Sequence, residues 1–222
     1  MRVEWHGQSA FTLSGEETRV FIDPFADMSM LEGRGVHWDY PPIAVEDVDL
    51  VLVTHEHLDH NGIEAIKGQP EMLRAIAGTH ESQLGEVIGV ASEHDAVAGT
   101  QRGPNTIFVF ELDGLRIAHF GDFGQSALRP EQVAAIGKVD LVFLPIGGGP
   151  TIGGAMAAEI ARELDPAWVV PMHYRTPRIG FLEDEAEFVA AMPNVERLDT
   201  AAFDTAELKR GDGPVAVIPA AP

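Results

Sequence analysis

The stretch Leu50-Val51-Leu52-Val53-Thr54-His55-Glu56-His57-Leu58-Asp59-His60-Asn61-Gly62 decides how this chain is read. The opening apolar run is too short for a helix and reads as a buried strand. His55, His57, Asp59 and His60 follow at once, and Asn61-Gly62 is a turn signal. Imidazole and carboxylate are preferred donors for zinc and similar divalent ions. In an extended or tight-loop backbone, His55, His57 and Asp59 project from the strand end, close enough to serve neighbouring metals. The plainer alternative is a polar loop that is merely His-rich, and the HxHxDH spacing disfavours it.

Working outward, Phe21-Ile22-Asp23-Pro24-Phe25 ends a strand-like run before this stretch. After it come Glu93-His94-Asp95, Ile117-Ala118-His119-Phe120-Gly121-Asp122 and Val169-Val170-Pro171-Met172-His173-Tyr174. Together these segments resemble the metallo-β-lactamase superfamily over most of the chain, from Val3 to Leu198. Arg102-Gly103-Pro104-Asn105-Thr106 and Pro145-Ile146-Gly147-Gly148-Gly149 are similar to the small stand-alone metal-dependent hydrolases related to ascorbate-6-phosphate lactonase.

The resemblance implies an α/β fold, a four-layer αββα sandwich with two divalent metal ions at its edge. Zinc is the first expectation, with manganese and iron as alternatives, since His and carboxylate donors suit all of them. By the same resemblance, His55, His57 and His94 hold one metal, Asp59, His60 and His173 hold the other, and Asp122 bridges them. Two such ions carry a hydroxide between them, and Asp59 is the residue placed to move its proton. Two departures stand out. Many relatives carry Gly-Asp-Thr-Gly where this chain has Gly121-Asp122-Phe123-Gly124, and many carry a histidine where Gln8 stands. Neither removes a proposed ligand, but Phe123 sets an apolar group beside the bridging carboxylate and makes transfer of any relative's substrate unsafe.

Other residues compete for roles. His80 rivals His94 for the same ligand position. His119 reads as a core residue or a support behind the ligands. His6 reads equally as a supporting donor or a structural histidine, and His37 as a substrate contact or a solvated loop residue. Gly147-Gly148-Gly149-Pro150-Thr151 is either an anion-binding loop or a tight passage beside the metals. It does not have the GxxxxGK[ST] pattern of a nucleotide loop. The long 27–47 connection crowds Met28, Met30, Trp38 and Tyr40 together, as a pocket wall or an oligomer contact.

Composition bounds the rest. The 222 residues suffice for one domain, expected to span 1–222, with no repeat or low-complexity linker. A formal net charge of −20 repels phosphate backbones, so nucleic acid is not expected as a partner. The absence of cysteine excludes disulfides and thiolate ligands. No export signal or membrane-spanning run is read, so the expected location is the cytoplasm. A homo-oligomer acting on a small molecule is expected.

The expected elements are a β-meander from Val3 to Ile22, strands at 50–53, 86–90, 106–112, 115–120, 141–144 and 168–170, and closing edge strands at 195–198 and 215–218. Helices are expected at 63–67, 71–77, 130–136, 155–164 and 183–190. The functional expectation is a metal-dependent hydrolase acting on an ester-like small molecule, a lactone or a phosphodiester. The alternatives are an iron-dependent oxidoreductase working with a separate flavoprotein, and a non-catalytic metal-binding protein. A donor set this large exceeds the four ligands that usually close a structural zinc site, which argues against the last.

Overall fold

The computed structural model describes residues 1–34 and 36–222; Gly35, inside the long 27–47 connection, lies outside the described residues. The chain opens with an antiparallel meander of β1 (Arg2–Gly7), β2 (Ala10–Ser14) and β3 (Arg19–Ile22). After the long connection it returns as β4 (Leu50–Val53) and β5 (Glu71–Arg74), both parallel to β3. A run of hairpins follows: β6 (Gly78–Ser82), β7 (Gly85–Glu93), β8 (Pro104–Leu112) and β9 (Leu115–His119). The remaining elements are α1 (Pro130–Ile136), β10 (Leu141–Pro145), α2 (Gly154–Leu164), β11 (Trp168–Met172), α3 (Ala186–Ala191), β12 (Asn194–Arg197), β13 (Ala202–Asp204) and β14 (Val215–Ile218).

These strands form two sheets, one ordered β13-β1-β2-β3-β4-β5 and the other β12-β14-β11-β10-β9-β8-β7-β6. Their inner faces share one core, in which Trp5, Phe11, Leu13 and Leu52 meet Phe108, Phe110, Ile117 and Phe143. The Phe11 and Phe143 rings lie 4.5 Å apart across the sandwich. β10 and β11 bury every residue, as parallel strands covered on both faces do. α1 packs on β7, α2 on β10, and α3 against α2. On the far side, Phe21, Val51 and Val53 lie under Trp38, Ile43 and Val45. The layer outside the first sheet is thus largely the long connection itself, and the expected four-layer arrangement is completed by apolar loop residues.

Several local expectations are corrected. Met, Leu and Arg favour helix, so 71–77 reads as one; instead Glu71–Arg74 pairs with β4 and alternates half-buried and exposed residues. Strand pairing outweighs propensity here, and Ala75 ends the strand at a φ of 45°. The helix expected at 63–67 is a single 3₁₀ turn, Ile63–Ala65. β14 is not an edge; it lies buried between β12 and β11. The short strands β6 and β13 carry no strong apolar pattern and are not legible in advance. β7 runs on to Glu93, past the expected end at Val90, and this extension delivers His94 to the sheet edge.

Candidate metal centre

Each proposed donor follows the end of a strand, where layered α/β folds place their sites. β4 leads into Thr54, whose backbone N–H and hydroxyl both donate to Asp23, at 2.7 Å to Oδ1 and 2.7 Å to Oδ2. The same Asp23 Oδ2 accepts from His60 Nδ1 at 2.8 Å. With its hydroxyl proton committed to Asp23, Thr54 Oγ1 accepts from His55 Nδ1 at 3.1 Å. His94 Nδ1 donates to the Pro150 carbonyl at 3.0 Å. In His55, His60 and His94 these bonds leave Nε2 free to face the centre, the arrangement by which supporting groups fix ligand tautomers.

Two glycines permit this closeness. A Cβ on Gly124 would stand 2.5 Å from the His94 carbonyl carbon, and one on Gly147 would stand 2.1 Å from the His173 carbonyl oxygen. Only a residue without a side chain lets these two loops pass the ligand-bearing backbone. The glycine-rich loop is therefore a tight passage that also supplies the Pro150 carbonyl to His94.

The donors gather into two groups. His55, His57 and His94 form one, and Asp59, His60, Asp122 and His173 the other; within each group the donor atoms lie within 4.8 Å of one another. His55 Nε2 faces His57 Nδ1 at 2.9 Å. Asp122 reaches into both groups. Its Oδ2 lies 3.0 Å from His94 Nε2, 3.4 Å from His173 Nε2 and 4.0 Å from His55 Nε2, while its Oδ1 lies 3.1 Å from His60 Nε2. Asp59 Oδ2 lies 3.8 Å from both His60 Nε2 and His173 Nε2. His57 is exposed and Asp59 half-buried, so the centre opens on their side.

The electrostatics match a cation site. Burial and the neighbouring histidines push His55 down to about 2, so its ring stays neutral and its lone pair available. Burial also lowers His57. Burial opposes a charge on His60, but Asp122, Asp23 and Asp59 outweigh it and raise the ring well above the ordinary histidine value. Asp122 is held well below the carboxylate range because His173 and His60 outweigh its burial. Burial likewise opposes ionisation of Asp59, which His60 and His173 reverse. His60 Nε2 and Asp122 Oδ1 are buried without an aligned hydrogen-bond partner despite their proximity. Buried polar atoms normally have partners, and a cation between these groups satisfies both. The residues present fit divalent metal.

The remaining histidines lie outside both groups. His119 is fully buried, with Nε2 donating to Ser9 O at 3.0 Å and Nδ1 accepting from Gly121 N at 3.2 Å, and it braces the strand end before Asp122. His6 Nε2 pairs with Thr12 Oγ1 at 2.7 Å beside the Phe21 ring. His37 is exposed, 3.3 Å from the Pro177 carbonyl, and His80 is turned to Ala77 O on an outer strand. Geometry thus takes His94 over His80.

Sequence reasoning assigned no role to several supporting side chains. Asn105 Oδ1 accepts from Asp122 N at 3.1 Å while its Nδ2 donates to Phe120 O and Ser92 Oγ, each at 2.8 Å. Gln125 Oε1 accepts from Glu93 N and is itself held by Gln132 and Arg129, which steadies the backbone before His94. Asp95 accepts four backbone N–H groups, from Val97, Gly99, Gln101 and Arg102, and thereby shapes the loop after His94. The usable signal was a lone polar residue in or beside an apolar strand, as in Phe21-Ile22-Asp23. Asn105→Ala leaves the Asp122 amide and its neighbours unpaired and should cost about 1–3 kcal/mol, read as a lower urea midpoint at unchanged slope.

Comparison with known proteins agrees with this geometry. The model of a beta-lactamase superfamily domain matches residues 2–173. A UPF0173 metal-dependent hydrolase of Thermococcus kodakarensis is 31% identical, with 88% of this chain and 98% of that protein covered. One from Pelotomaculum thermopropionicum is 33% identical over 86% of this chain and 92% of its own length. Among solved structures, a metallo-beta-lactamase superfamily protein of Thermotoga maritima superposes with a TM-score of 0.78 at 28% identity, covering 99% of this chain and 98% of its own. YhfI of Bacillus subtilis shares the fold at 12% identity and a TM-score of 0.62, over 99% of this chain and 96% of its own. Two facing sheets with clustered His and Asp donors at their edge define a metallohydrolase of the metallo-β-lactamase fold. The chain belongs to the beta-lactamase superfamily, among its UPF0173 metal-dependent hydrolases.

Proposed function

We propose that the protein is a dinuclear hydrolase of small ester-like molecules, lactones or phosphodiesters. The observation that carries the reading is Asp122, whose carboxylate lies 3.0 Å from His94 and 3.4 Å from His173 and so touches both donor groups at once. His55, His57 and His94 would hold one ion and Asp59, His60 and His173 the other, with Asp122 shared. Two dications, when bound, would supply a water of near-neutral pKa and neutralise charge developing on the scissile group. The chain's own residues do the rest. Asp23, Thr54 and the Pro150 carbonyl hold the rings in orientation. Asp59, half-buried on the open side, would be the residue placed to hold or take up a proton there.

Zinc is the preferred metal; the Thermotoga maritima relative is itself described as a proposed zinc-dependent hydrolase. A cytoplasmic location and assembly into a homo-oligomer belong to the same proposal. No helix among the described residues is long and apolar enough to cross a membrane.

The test is metal content per chain in protein purified without added metal, alongside turnover of a panel of lactones and phosphodiesters. About two zinc or manganese ions per chain, with turnover lost on chelation and regained on metal return, is the expected result. A single ion per chain overturns the dinuclear reading, and iron without hydrolysis points to redox chemistry instead.

A further inference from the structure

The long connection borders an open cavity of about 550 Å³, whose other wall is Gly62, Glu64 and Ala65, just after the loop that carries His57, Asp59 and His60. This is well within the range of small-molecule sites. Its walls are chiefly apolar, with Phe25, Met28, Trp38, Tyr40 and Ile43 prominent. Two backbone bonds tie it to the metal-binding loop: Ala26 N to Leu58 O at 2.8 Å, and Gly62 N to Pro24 O at 2.6 Å. Asp23, the acceptor for His60, lies two residues before Phe25.

The opposite wall is pinned to the segment that follows His173. Asp39 N donates to Arg178 O at 2.9 Å, Trp38 bridges Ile179, and Tyr40 Oη pairs with Thr176 Oγ1 at 2.9 Å. Lining residues Ala26 and Gly62 are thus tied to the two ends of the Asp59–His60 loop, and Trp38 and Tyr40 to the segment that follows His173.

Its charge is one-sided. Among the described residues lining it, Asp27 and Glu64 are the charged ones, and no lysine, arginine or histidine faces it. Ser29 N donates to Asp27 Oδ1 at 2.9 Å, which favours the ionised carboxylate. An anionic ligand would meet two carboxylates at the cavity mouth and aromatic rings inside, with no cation among the described lining residues to pair with. A neutral or cationic apolar group meets neither penalty, and aromatic walls welcome both.

We infer that this cavity seats the non-reacting arm of the substrate, and that the arm is apolar and carries no negative charge. The inference rests on the hydrolase reading for the word substrate, but the binding site stands on the cavity alone. It favours aryl or medium-chain acyl esters and lactones over phosphorylated sugars.

The test is calorimetric titration of the metal-loaded protein with 2-naphthalenemethanol and with naphthalene-2-sulfonate, equal in ring system and different in charge. The neutral probe should bind on the order of tenfold more tightly. Ala65→Phe, which places a ring in the cavity from the 3₁₀ turn, should weaken the neutral probe by about tenfold or more. Melting temperature and metal content of the variant show that the fold and the centre persist. Asp27→Lys should narrow the gap between the probes by admitting the sulfonate. Equal binding of the two probes by the wild type, or neutral-probe affinity unchanged in a folded Ala65→Phe protein, overturns the assignment. Turnover of 2-naphthyl acetate with a KM raised by Ala65→Phe supports both readings. Probe binding that responds to Ala65→Phe, in a protein that hydrolyses no ester, keeps the site and rejects the hydrolase.

Discussion

Asp122→Ala should reduce the metal content from about two ions per chain to one at most, and hydrolysis to the uncatalysed background. The argument is geometric. Asp122 lies within 3.4 Å of donors from both groups and joins them through a single carboxylate. Without its carboxylate, the first group keeps three imidazoles and the second keeps Asp59, His60 and His173. Each can still offer three donors, but no charge is shared between two closely spaced dications. Their mutual repulsion then opposes double loading. Asp122→Asn is the sharper companion, because it preserves the shape and removes only the charge. It should load a second ion much more weakly than the wild type. His80→Ala, on an outer strand and outside both groups, should leave stoichiometry and turnover as they were. Metal analysis by mass spectrometry reads all three. Two ions per chain in Asp122→Ala would refute the shared-ligand assignment whatever became of activity.

Much of this centre is legible in the residues alone because metal donors are few in kind and their spacing is distinctive. His55, His57, Asp59 and His60 lie in one loop, and a loop can be read without knowing its neighbours. His94, Asp122 and His173 are different. They are isolated in sequence, and only the family resemblance implied that they converge; the structure brings them together by extending β7 to Glu93 and by stacking β9, β10 and β11 in parallel. Of the supporting groups, His119 was read as one possibility, and the others left only the faint signal of a lone polar residue in or beside an apolar strand. Asp23 is separated from His60 by the whole 27–47 connection, and nothing local says that it faces a histidine rather than solvent. Asn105 entered only as part of the Arg102–Thr106 segment that carries the family resemblance, yet its side chain holds the Asp122 backbone. The same limit explains β5, whose composition favours helix while its position beside β4 demands a strand. Local preference is worth tenths of a kcal/mol per residue, and pairing against a buried sheet outweighs it.

The largest effect away from the proposed ligands is expected at Asp23. Its fully buried carboxylate accepts from Thr54 N, Thr54 Oγ1 and His60 Nδ1, with no exposure to water. Asp23→Ala strands three buried donors, one of them on the His60 ring. Removing a buried carboxylate that satisfies three donors costs about 3–5 kcal/mol. For a chain of this size that corresponds to a melting temperature lower by about 6–20 °C. The metal should respond separately. Freed from Asp23, the His60 ring loses its fixed tautomer and orientation, and loss of such a supporting contact weakens metal binding by about 10–100-fold. Because His60 belongs to the second group, metal binding there should suffer while binding by the His55, His57 and His94 group should be spared. Thr54→Val removes one hydroxyl and should cost about 1 kcal/mol, with a much smaller effect on affinity. Thermal melts with and without metal, together with competitive metal titration, distinguish the two roles. An equal loss of stability in both states, with unchanged affinity, would make Asp23 a purely structural brace. A selective loss at one of two sites would show that the strand end before the long connection tunes the metal from behind, through a contact that the loop sequence itself does not contain.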